Sequence, residues 1–247
     1  MKKFLLGAAA ALAVAAPGVA AADSADVGVS FSNTDVGGGF DFDTWTLSGG
    51  YVHNLDGNMI LQFDGQHNRA DFGGGTDLGN SYGAVNFGVR NDTYAFYGFV
   101  GLSDLFAISG ANFGIGGQYY LPNMTFNGSY GMTDWDGGLD MSNLHVDGTF
   151  FFTDNFGISA EAGHTDIDFT DWNTLGVGAV WRPEGSNFTF NAGYRNFDFD
   201  GGDADQFRIG FTFNIGSSSA KENSQSGASL NGASTLFEET SLLAIFP

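Results

Sequence analysis

The sequence has no cysteine, few basic residues and no long hydrophobic run in its main body. Without cysteine among its 247 residues, an exported chain of this size must be held together by hydrogen bonds and packing. Only 8 Lys and Arg face 28 Asp and Glu, so nucleic acid, whose phosphates attract cationic surfaces, is not an expected partner. After residue 23 no apolar run approaches the roughly 20 residues of a membrane helix.

The first 22 residues have the pattern of a secretory signal peptide. Lys2 and Lys3 precede an apolar run, Phe4 to Val14, and three alanines stand directly before Asp23. This order of positive, apolar and small residues is typical of a cleaved leader, and the run is too short to span a membrane. We therefore predict that residues 1–22 are removed on export, which takes the formal net charge from −20 to −22 with the loss of the two lysines.

Alternation of apolar and polar residues dominates the rest of the chain. From Gln206 to Ile215 every odd position is apolar and every even position is polar or glycine, which predicts a strand with one apolar face. The pattern recurs about a dozen times, and no helical segment is available to cover these faces. Since only helices and closed barrels satisfy their backbone polar groups inside a bilayer, the pattern favours a barrel in contact with lipid.

Short polar turns alternate with longer acidic, glycine-rich segments. Five short turns join ten strands, and Val27 to Phe31 with the closing strand make twelve. Because the fifth and sixth strands alternate least clearly, ten strands is the alternative. We predict an all-β, transmembrane, antiparallel up-and-down barrel over residues 23–216, with both ends on the short-turn side. The short turns are at residues 56–58, 91–92, 122–123, 154–155 and 185–187.

The C-terminal residues 217–247 have a different composition. Ser, Gly, Asn and Ala predominate up to Ser234, and apolar residues return at Leu236-Phe237 and over 242–246. The lack of periodicity predicts a flexible periplasmic tail. The alternative is that this end docks a periplasmic partner or plugs the barrel from below.

The signal peptide, the amphipathic hairpins and the closing strand of alternating aromatics together resemble a Gram-negative outer-membrane β-barrel of the porin-like kind. The resemblance covers residues 26–216. It implies location in the cell outer membrane, contact with lipid and lipopolysaccharide, and insertion by the barrel-assembly machinery. It also implies that the last strand carries the assembly signal, in Phe207, Phe211, Phe213 and Ile215. The 31 residues after that strand depart from the pattern of trimeric, sixteen-stranded porins, and whether the barrels form homo-oligomers stays open.

Strand parity predicts which charged residues face the lumen. The turn at Asp154 should bring Asp147 and Glu161 together, and the last outer loop should bring Arg195 and Arg208 together. A small, polar lumen in a barrel of twelve strands predicts a narrow pore for small solutes. The charges either set a transverse field in that pore or form ion pairs that satisfy buried charge. The predicted lumenal residues are Asp64, Asp147, Glu161, His145, Arg195 and Arg208.

The predicted outer strand ends have several Asp-x-Asp pairs with an apolar residue between the two acids. If the alternation is unbroken, the aspartates point outward and the apolar residues cluster over the mouth. A β-bulge would instead place those apolar residues in the interfacial girdle. The cluster would stiffen the rim or form an entrance for an apolar solute. Its predicted members are Phe42, Phe72, Trp135, Ile167, Phe197 and Phe199.

The spacing of the acids and histidines indicates neither a metal site nor an active site. Asp198 to Asp203 lacks the glycine and closing glutamate of an EF-hand, so diffuse attraction of cations is favoured over a specific metal site. Parity turns every histidine but His145 away from the lumen, and no nucleophile with a base emerges, so we expect neither an enzyme nor a cofactor. We predict a passive channel whose acidic mouth favours cations; the alternative is a structural or adhesion protein with a closed lumen.

Overall fold

Twelve antiparallel strands close into a single barrel in the structure, a computed structural model that describes residues 23–73, 77–105, 108–240 and 242. Each strand pairs with its neighbours in sequence, and the first pairs with the last from Ala25 opposite Ile215 to Asp35 opposite Asp205. The prediction of an up-and-down barrel is confirmed, with twelve strands rather than ten. The predicted leader, residues 1–22, lies outside the described residues. The strands are β1 (Ser24–Asp35), β2 (Asp41–Asn54), β3 (Met59–Asp71), β4 (Asp77–Arg90), β5 (Tyr94–Leu105), β6 (Ile108–Leu121), β7 (Met124–Trp135), β8 (Leu139–Thr153), β9 (Phe156–Ile167), β10 (Thr170–Trp181), β11 (Phe188–Phe199) and β12 (Gly202–Ile215).

The alternation in sequence becomes two faces of the barrel wall. On β12, Phe207, Ile209 and Phe211 are exposed on the outside, whereas Gln206 and Asn214 are buried inside. The same division holds along β3 and β8. Because successive side chains of a strand point to opposite faces, the register of each hairpin fixes which residues meet lipid and which meet the lumen.

The weak alternation of β5 and β6 has a structural cause. The lumenal face of β5 carries Tyr97 and Phe99, which are buried, while its outer face carries exposed Phe96. On β6, glycines make room for these rings: a Cβ on Gly116 would lie 2.4 Å from Tyr97 Cζ, and one on Gly114 would lie 2.4 Å from Phe99 Cζ. Both faces of β5 are therefore apolar, and the inner face of β6 is partly bare.

The outer ends of the strands keep their parity. Ladder pairing continues to Asp43 opposite Asp71 and to Phe199 opposite Gly202 without a bulge. Among the described pairs the register shifts between Phe151 and Thr153, at the short-turn end. The apolar residues of the Asp-x-Asp segments consequently point inward, as unbroken alternation predicts.

The C-terminal residues fold into two helices, α1 (Ala220–Ser226) and α2 (Gly232–Thr240). This differs from the flexible periplasmic tail that we predicted from composition, and it corresponds to the alternative in which this end plugs the barrel. α2 packs against β3 and β5–β8, so it lies inside the barrel. Within the described ranges, neither helix has the length and hydropathy needed to cross a bilayer. We name the described residues 217–240 and 242 the plug.

Candidate functional site

The inner wall of the barrel has two dissimilar halves. The lumenal faces of β2 to β6 carry buried polar side chains together with large buried apolar ones, and we name this side the apolar half because of the latter. They include Val52, Ile60, Tyr82, Tyr97 and Phe99. Below the rim, the lumenal faces of β8 to β12 and of β1 carry mostly small polar side chains and charges. The plug lies against the apolar half, because its own apolar residues need partners that the polar half does not offer.

Apolar contacts seat α2 in the barrel. Ala233, Leu236 and Phe237 are at most 1% exposed and belong to the same buried cluster as Tyr97 and Phe99. The ring of Phe237 lies 4.7 Å from that of Tyr82, centroid to centroid. Burying a leucine or phenylalanine side chain contributes about 1.5–3 kcal/mol, so this small helix has a substantial apolar hold on the wall.

Polar contacts from the wall satisfy the plug backbone between its two helices and at the helix ends that flank this segment. The Gln62 side chain donates to the Leu230 carbonyl at 2.9 Å and accepts from the Leu230 amide at 3.1 Å. Tyr97 Oη accepts from the Gly232 amide at 3.0 Å. At the short-turn end, Arg90 Nη1 donates to the carbonyls of Ser226 and Gly227, both at 2.9 Å. These bonds replace the water that an inserted, irregular backbone segment would lose.

A carboxylate of α2 joins two arginines of the polar wall. Arg195 Nη1 donates to Glu238 Oε2 at 2.7 Å, and Arg208 Nη1 donates to Glu238 Oε1 at 2.9 Å. Arg195 also makes two bonds to Glu161, one of them from Nη2 to Oε2 at 2.9 Å. Each oxygen of Glu238 thus accepts from a different guanidinium group. As a result, α2 bridges the lumen from the apolar half to the polar half of the wall.

Glu239, the next residue of α2, is hydrogen-bonded to β10. Glu239 is 1% exposed and accepts from Trp172 Nε1 at 2.8 Å and from Thr174 Oγ1 at 3.2 Å. A carboxylate that loses water needs such donors, since a buried charge without them is costly. Glu238 and Glu239 therefore fix the rotation of α2 about its axis.

The predicted lumenal residues are inside the barrel, and most of them form one group. Asp147 and Glu161 are directly opposite each other in the β8–β9 ladder. His145 Nε2 lies 3.7 Å from Asp147 and 3.6 Å from Glu161, and Arg195 joins the group through Glu161. Arg195 and Arg208 are diagonal neighbours, because Arg208 is opposite Gly193 rather than Arg195.

Asp64 lies apart from that group, on β3. Its carboxyl group accepts hydrogen bonds from Gln62 on the same strand and from Asn86 on β4. Asp147 similarly accepts from Asn127 at 2.6 Å and from Asn231 of the plug at 3.1 Å. Asp64 and Asp147 are thus hydrogen-bonded by amide groups, and Glu161 is ion-paired with Arg195. Of these contacts, only that of Glu161 has the form of the ion-pair alternative, and whether the lumenal charges set a field in a pore stays a prediction.

A polar cavity remains between the plug and the polar half of the wall. Its volume is about 480 Å³. It extends from Thr189, Asn214 and Asn223 at the short-turn end to Arg195 and Arg208 at mid-height. The cavity shows that the plug fills only part of the lumen cross-section.

The predicted rim residues form two groups rather than one. Trp135, Ile167 and Phe197 are 1–2% exposed and share a buried cluster with Leu236 and Leu242 of the plug. Phe199 packs on the ring of Trp172, at 5.4 Å between centroids. Phe42 instead stacks on Phe72 at 5.0 Å, and Phe72 on Phe40 at 6.3 Å. The first group packs with the plug at the outer end of the lumen, and the second extends to the exposed ring of Phe40.

The residues predicted to carry the assembly signal lie on the outer face of β12. Phe207 and Phe211 are exposed, and Phe213 packs on Phe188 with ring centroids 5.1 Å apart. Ile215 is opposite Ala25 at the seam of the barrel. The four side chains therefore form an outward row on the closing strand, and their role in assembly stays a prediction.

The sequence patterns did not indicate which plug residues contact the wall, nor which wall residues they contact. Glu238 and Glu239 stand in a segment without periodicity, and Gln62, Arg90 and Tyr97 were not among the predicted site residues. One signal was available: aromatic residues on both faces of β5 require something apolar inside the barrel. Read together with Leu236-Phe237, this pattern favours a plug over a disordered tail.

The described residues contain no group of three histidines, cysteines or carboxylates arranged to hold a metal ion. The aspartates of the outer strand ends point outward and are spread around the rim. The structure gives no geometry from which to assign a metal to them.

Solved structures of outer-membrane barrels match the chain in fold, whereas no family model and no curated protein matches it. An outer membrane channel from Pseudomonas putida F1 superposes with a TM-score of 0.62 at 12% identity, over 81% of this chain and 97% of that one. The NanC porin gives 0.60 at 8% identity, over 76% and 98%. The KdgM porin in complex with disordered oligogalacturonate gives 0.57 at 9% identity, over 76% and 98%.

The chain has the fold of the porin-like outer-membrane β-barrels. At identities this low the likeness is one of fold, so the plug, the cavity and the charged group are features of this chain to be interpreted from its own residues.

Proposed function

We propose that the protein is an outer-membrane channel for the passive diffusion of small solutes, exported by the leader of residues 1–22. The observation that carries this proposal is the polar cavity beside the plug. A lumen meant only to be filled would be expected to pack the plug on all sides. Here the polar half of the wall keeps about 480 Å³ of space lined by small polar and charged side chains.

The arrangement corresponds to a closed state of that channel. Above the cavity, Trp135, Ile167 and Phe197 form one apolar cluster with the plug residues Leu236 and Leu242. A solute passing from the outer mouth to the cavity has to cross this cluster. Permeation therefore requires that the plug shift or leave, and its contacts set how often that happens.

The acidic outer strand ends support a preference for cations. Asp134, Asp166, Asp198 and Asp203 are exposed around the mouth, and after loss of the leader the formal net charge of the chain is −22. Carboxylates grouped at a pore mouth raise the local concentration of cations. The lumenal charges contribute less to selectivity because most of them are paired within the barrel.

Deletion of residues 217–247 tests the channel proposal. The truncated barrel and the full chain, each verified as folded by heat-modifiable migration on gels, would be compared in planar bilayers. We expect low and intermittent conductance from the full chain and a several-fold higher, steady conductance from the truncated barrel. If neither barrel conducts, the channel proposal is overturned.

A structural or adhesion protein with a permanently closed lumen is the second candidate. The specific observation in its favour is that three kinds of contact keep the plug in place. These are the apolar contacts of α2, the hydrogen bonds from Gln62 and Arg90 to the plug backbone, and the ion pairs of Glu238 with Arg195 and Arg208. This candidate predicts that the truncated barrel conducts while single-channel records of the full chain contain no openings.

A channel for small apolar solutes is a variant of the same proposal. It is supported by the stack of Phe40, Phe72 and Phe42, whose outermost ring is 44% exposed. Liposome swelling with solutes of equal size and different polarity would separate it from a polar channel. Faster entry of the apolar solute, reduced by Phe40→Ala, is the result that favours it.

The surroundings of the barrel follow from its outer face. A belt of exposed aromatic and aliphatic side chains on the strands supports contact with outer-membrane lipid and with lipopolysaccharide. The row of Phe207, Phe211, Phe213 and Ile215 on β12 supports recognition by the barrel-assembly machinery. Cross-linking of the protein in native membranes would test for homo-oligomers.

A further inference from the structure

The position of Glu238 between two arginines has the form of a carboxylate in a binding site. One oxygen lies 2.7 Å from Arg195 Nη1 and the other lies 2.9 Å from Arg208 Nη1. Charge-assisted bonds from guanidinium groups are the strongest and most directional contacts that proteins make with carboxylates. Glu238 is not part of the barrel wall, so its carboxylate is delivered to this place by the plug.

When the plug is absent, the two arginines of the wall lose the negative charge of Glu238. Arg195 keeps Glu161, with which it makes two hydrogen bonds. Arg208 contacts Glu238, and within the described residues no second carboxylate forms an ion pair with it. Removal of the plug therefore leaves the Arg208 guanidinium without the carboxylate that it contacts, and an unpaired positive charge attracts an anion.

The two arginines can be reached without removing the plug completely. Both line the polar cavity, and the side chain of Arg208 is 36% exposed. The cavity extends to the short-turn end, where Thr189 and Asn214 lie. The outer end is ringed by aspartates, which repel anions, so a small anion reaches the arginines more readily from the short-turn side.

We infer that Arg195 and Arg208 form a binding site for small carboxylates, which Glu238 of the plug occupies in the closed state. A free carboxylate that enters the cavity and takes the place of Glu238 removes one hold on α2 and favours the released plug. This inference rests on the proposed function, because it names the ligand that shifts the proposed channel toward its open state.

The direction of the effect follows from linkage. In the closed state the site is occupied by Glu238, so a free carboxylate binds the released state better than the closed one. A ligand shifts an equilibrium between two states only by its difference in affinity for them. A carboxylate at concentrations above its dissociation constant for the released state therefore raises the ratio of open to closed channels in proportion to its concentration.

Single-channel recording of the full chain with succinate tests this site. Succinate would replace chloride on one side of the bilayer at constant ionic strength, and sulfate would serve as an anion of the same charge. We expect succinate on the short-turn side to raise the open probability several-fold and sulfate to change it little. An equal response to sulfate, or no response to succinate, overturns the carboxylate site.

Two variants and one control complete the design. Glu238→Gln removes the charge of the plug carboxylate, and Arg208→Gln removes one of its partners; each is expected to open more often without ligand and to lose the response to succinate. Glu222→Gln is the matched control, because Glu222 is a plug glutamate that bonds to Ser218 at the short-turn end. It is expected to keep the behaviour of the unmodified chain. A response to succinate that persists in Arg208→Gln also overturns the site.

The outcomes distinguish this inference from the proposed function. If the barrel truncated after residue 216 conducts and the full chain opens intermittently but ignores succinate, the channel proposal stands and the carboxylate site fails. If the truncated barrel conducts and the full chain never opens, with or without succinate, the closed structural candidate is favoured and the carboxylate site fails as well. If the truncated barrel does not conduct, the channel proposal itself fails, and the carboxylate site fails with it.

Discussion

Phe237 is one of the side chains by which the plug holds to the apolar half of the lumen. It is 1% exposed, and its ring meets that of Tyr82. Replacing a buried phenylalanine with alanine costs about 3–5 kcal/mol when the surroundings cannot collapse. That energy is lost from the plugged state and not from the strand ladder, so Phe237→Ala is expected to raise the open probability of the full chain in bilayers by tenfold or more.

Phe96→Ala is the control for this substitution. Phe96 is the same residue type on β5 but is 57% exposed on the outer face. It should leave the open probability unchanged. Equal behaviour of the two variants would contradict the assignment of Phe237 to the plug contact.

Asp23 directly precedes β1 at the short-turn end, and its carboxylate contacts residues of β2. Burial disfavours its charged form, but hydrogen bonds from His53, Tyr51 and the Asn54 amide outweigh burial and hold the pKa of the carboxyl below its usual range. A lowered pKa in the folded state means that this carboxylate stabilises the barrel fully above about pH 4, the ordinary aspartate value, and that the contribution is lost as the pH falls through the lowered pKa.

Asp23→Asn is therefore expected to lower the unfolding temperature at neutral pH. The difference from the unmodified protein should shrink at acidic pH, where the native carboxyl is itself protonated. Thermal unfolding in detergent, followed by circular dichroism at several pH values, measures it. Asp56→Asn, on an exposed turn, is the control, and a difference that does not depend on pH would contradict the role given to the Asp23 charge.

At the scale of the element, β12 has one face for lipid and one for the lumen. Phe211 is 47% exposed on the outer face, and Thr212 lines the cavity. A lysine facing lipid near the bilayer midplane costs about 2–4 kcal/mol, whereas a lysine facing the lumen remains hydrated. Phe211→Lys is thus expected to reduce folding yield and the free energy of unfolding far more than Thr212→Lys.

Urea titration of both variants in lipid vesicles measures this difference. The two positions are adjacent on the same strand, so local strand propensity is nearly matched. Equal destabilisation of the two variants would mean that the assigned faces are reversed or that the strand does not meet lipid.

Also at this scale, the strands were predictable from the sequence, whereas the plug was one of several alternatives for the C-terminal residues and not the favoured one. The alternation on β12 and β8 depends on local residues alone, because parity needs only the neighbouring side chains. The weak alternation of β5, which left the strand number open, results from contacts that are not local. Tyr97 and Phe99 satisfy contacts with α2, which lies more than a hundred residues further along the chain, and no local pattern contains that partner.

At the scale of the whole molecule, charge is distributed unevenly. The outer strand ends carry exposed aspartates, and the lumenal arginines are bound to Glu161 and Glu238. We expect the truncated barrel to prefer cations in a salt gradient, with a reversal potential of the sign set by potassium rather than chloride. High salt should weaken the preference, because exposed charges are screened over about 10 Å at 0.1 M.

The contribution of Arg208 to ion selectivity can also be measured in the truncated barrel. Without Glu238, Arg208 adds a positive charge to the lumen, so Arg208→Gln in the truncated barrel should increase the cation preference further. Bilayer recording in a tenfold gradient of potassium chloride compares the two. Anion preference in both barrels would contradict an acidic mouth as the source of selectivity.

The sequence by itself determined the up-and-down barrel, its lipid-facing positions and the pairing of Asp147 with Glu161, because these follow from parity and hairpin register. The structure decided between twelve and ten strands, and its unbroken outer ladders turned Trp135 and Phe197 inward. Only the tertiary structure decided the state of the lumen. Leu236, Phe237 and Glu238 stand in a segment with no periodicity, and their partners Tyr82, Arg195 and Arg208 lie on three different strands. The physical reason is that closing a barrel creates an interior surface, and which chain segment fills it depends on complementarity across that closed space rather than on neighbours in sequence.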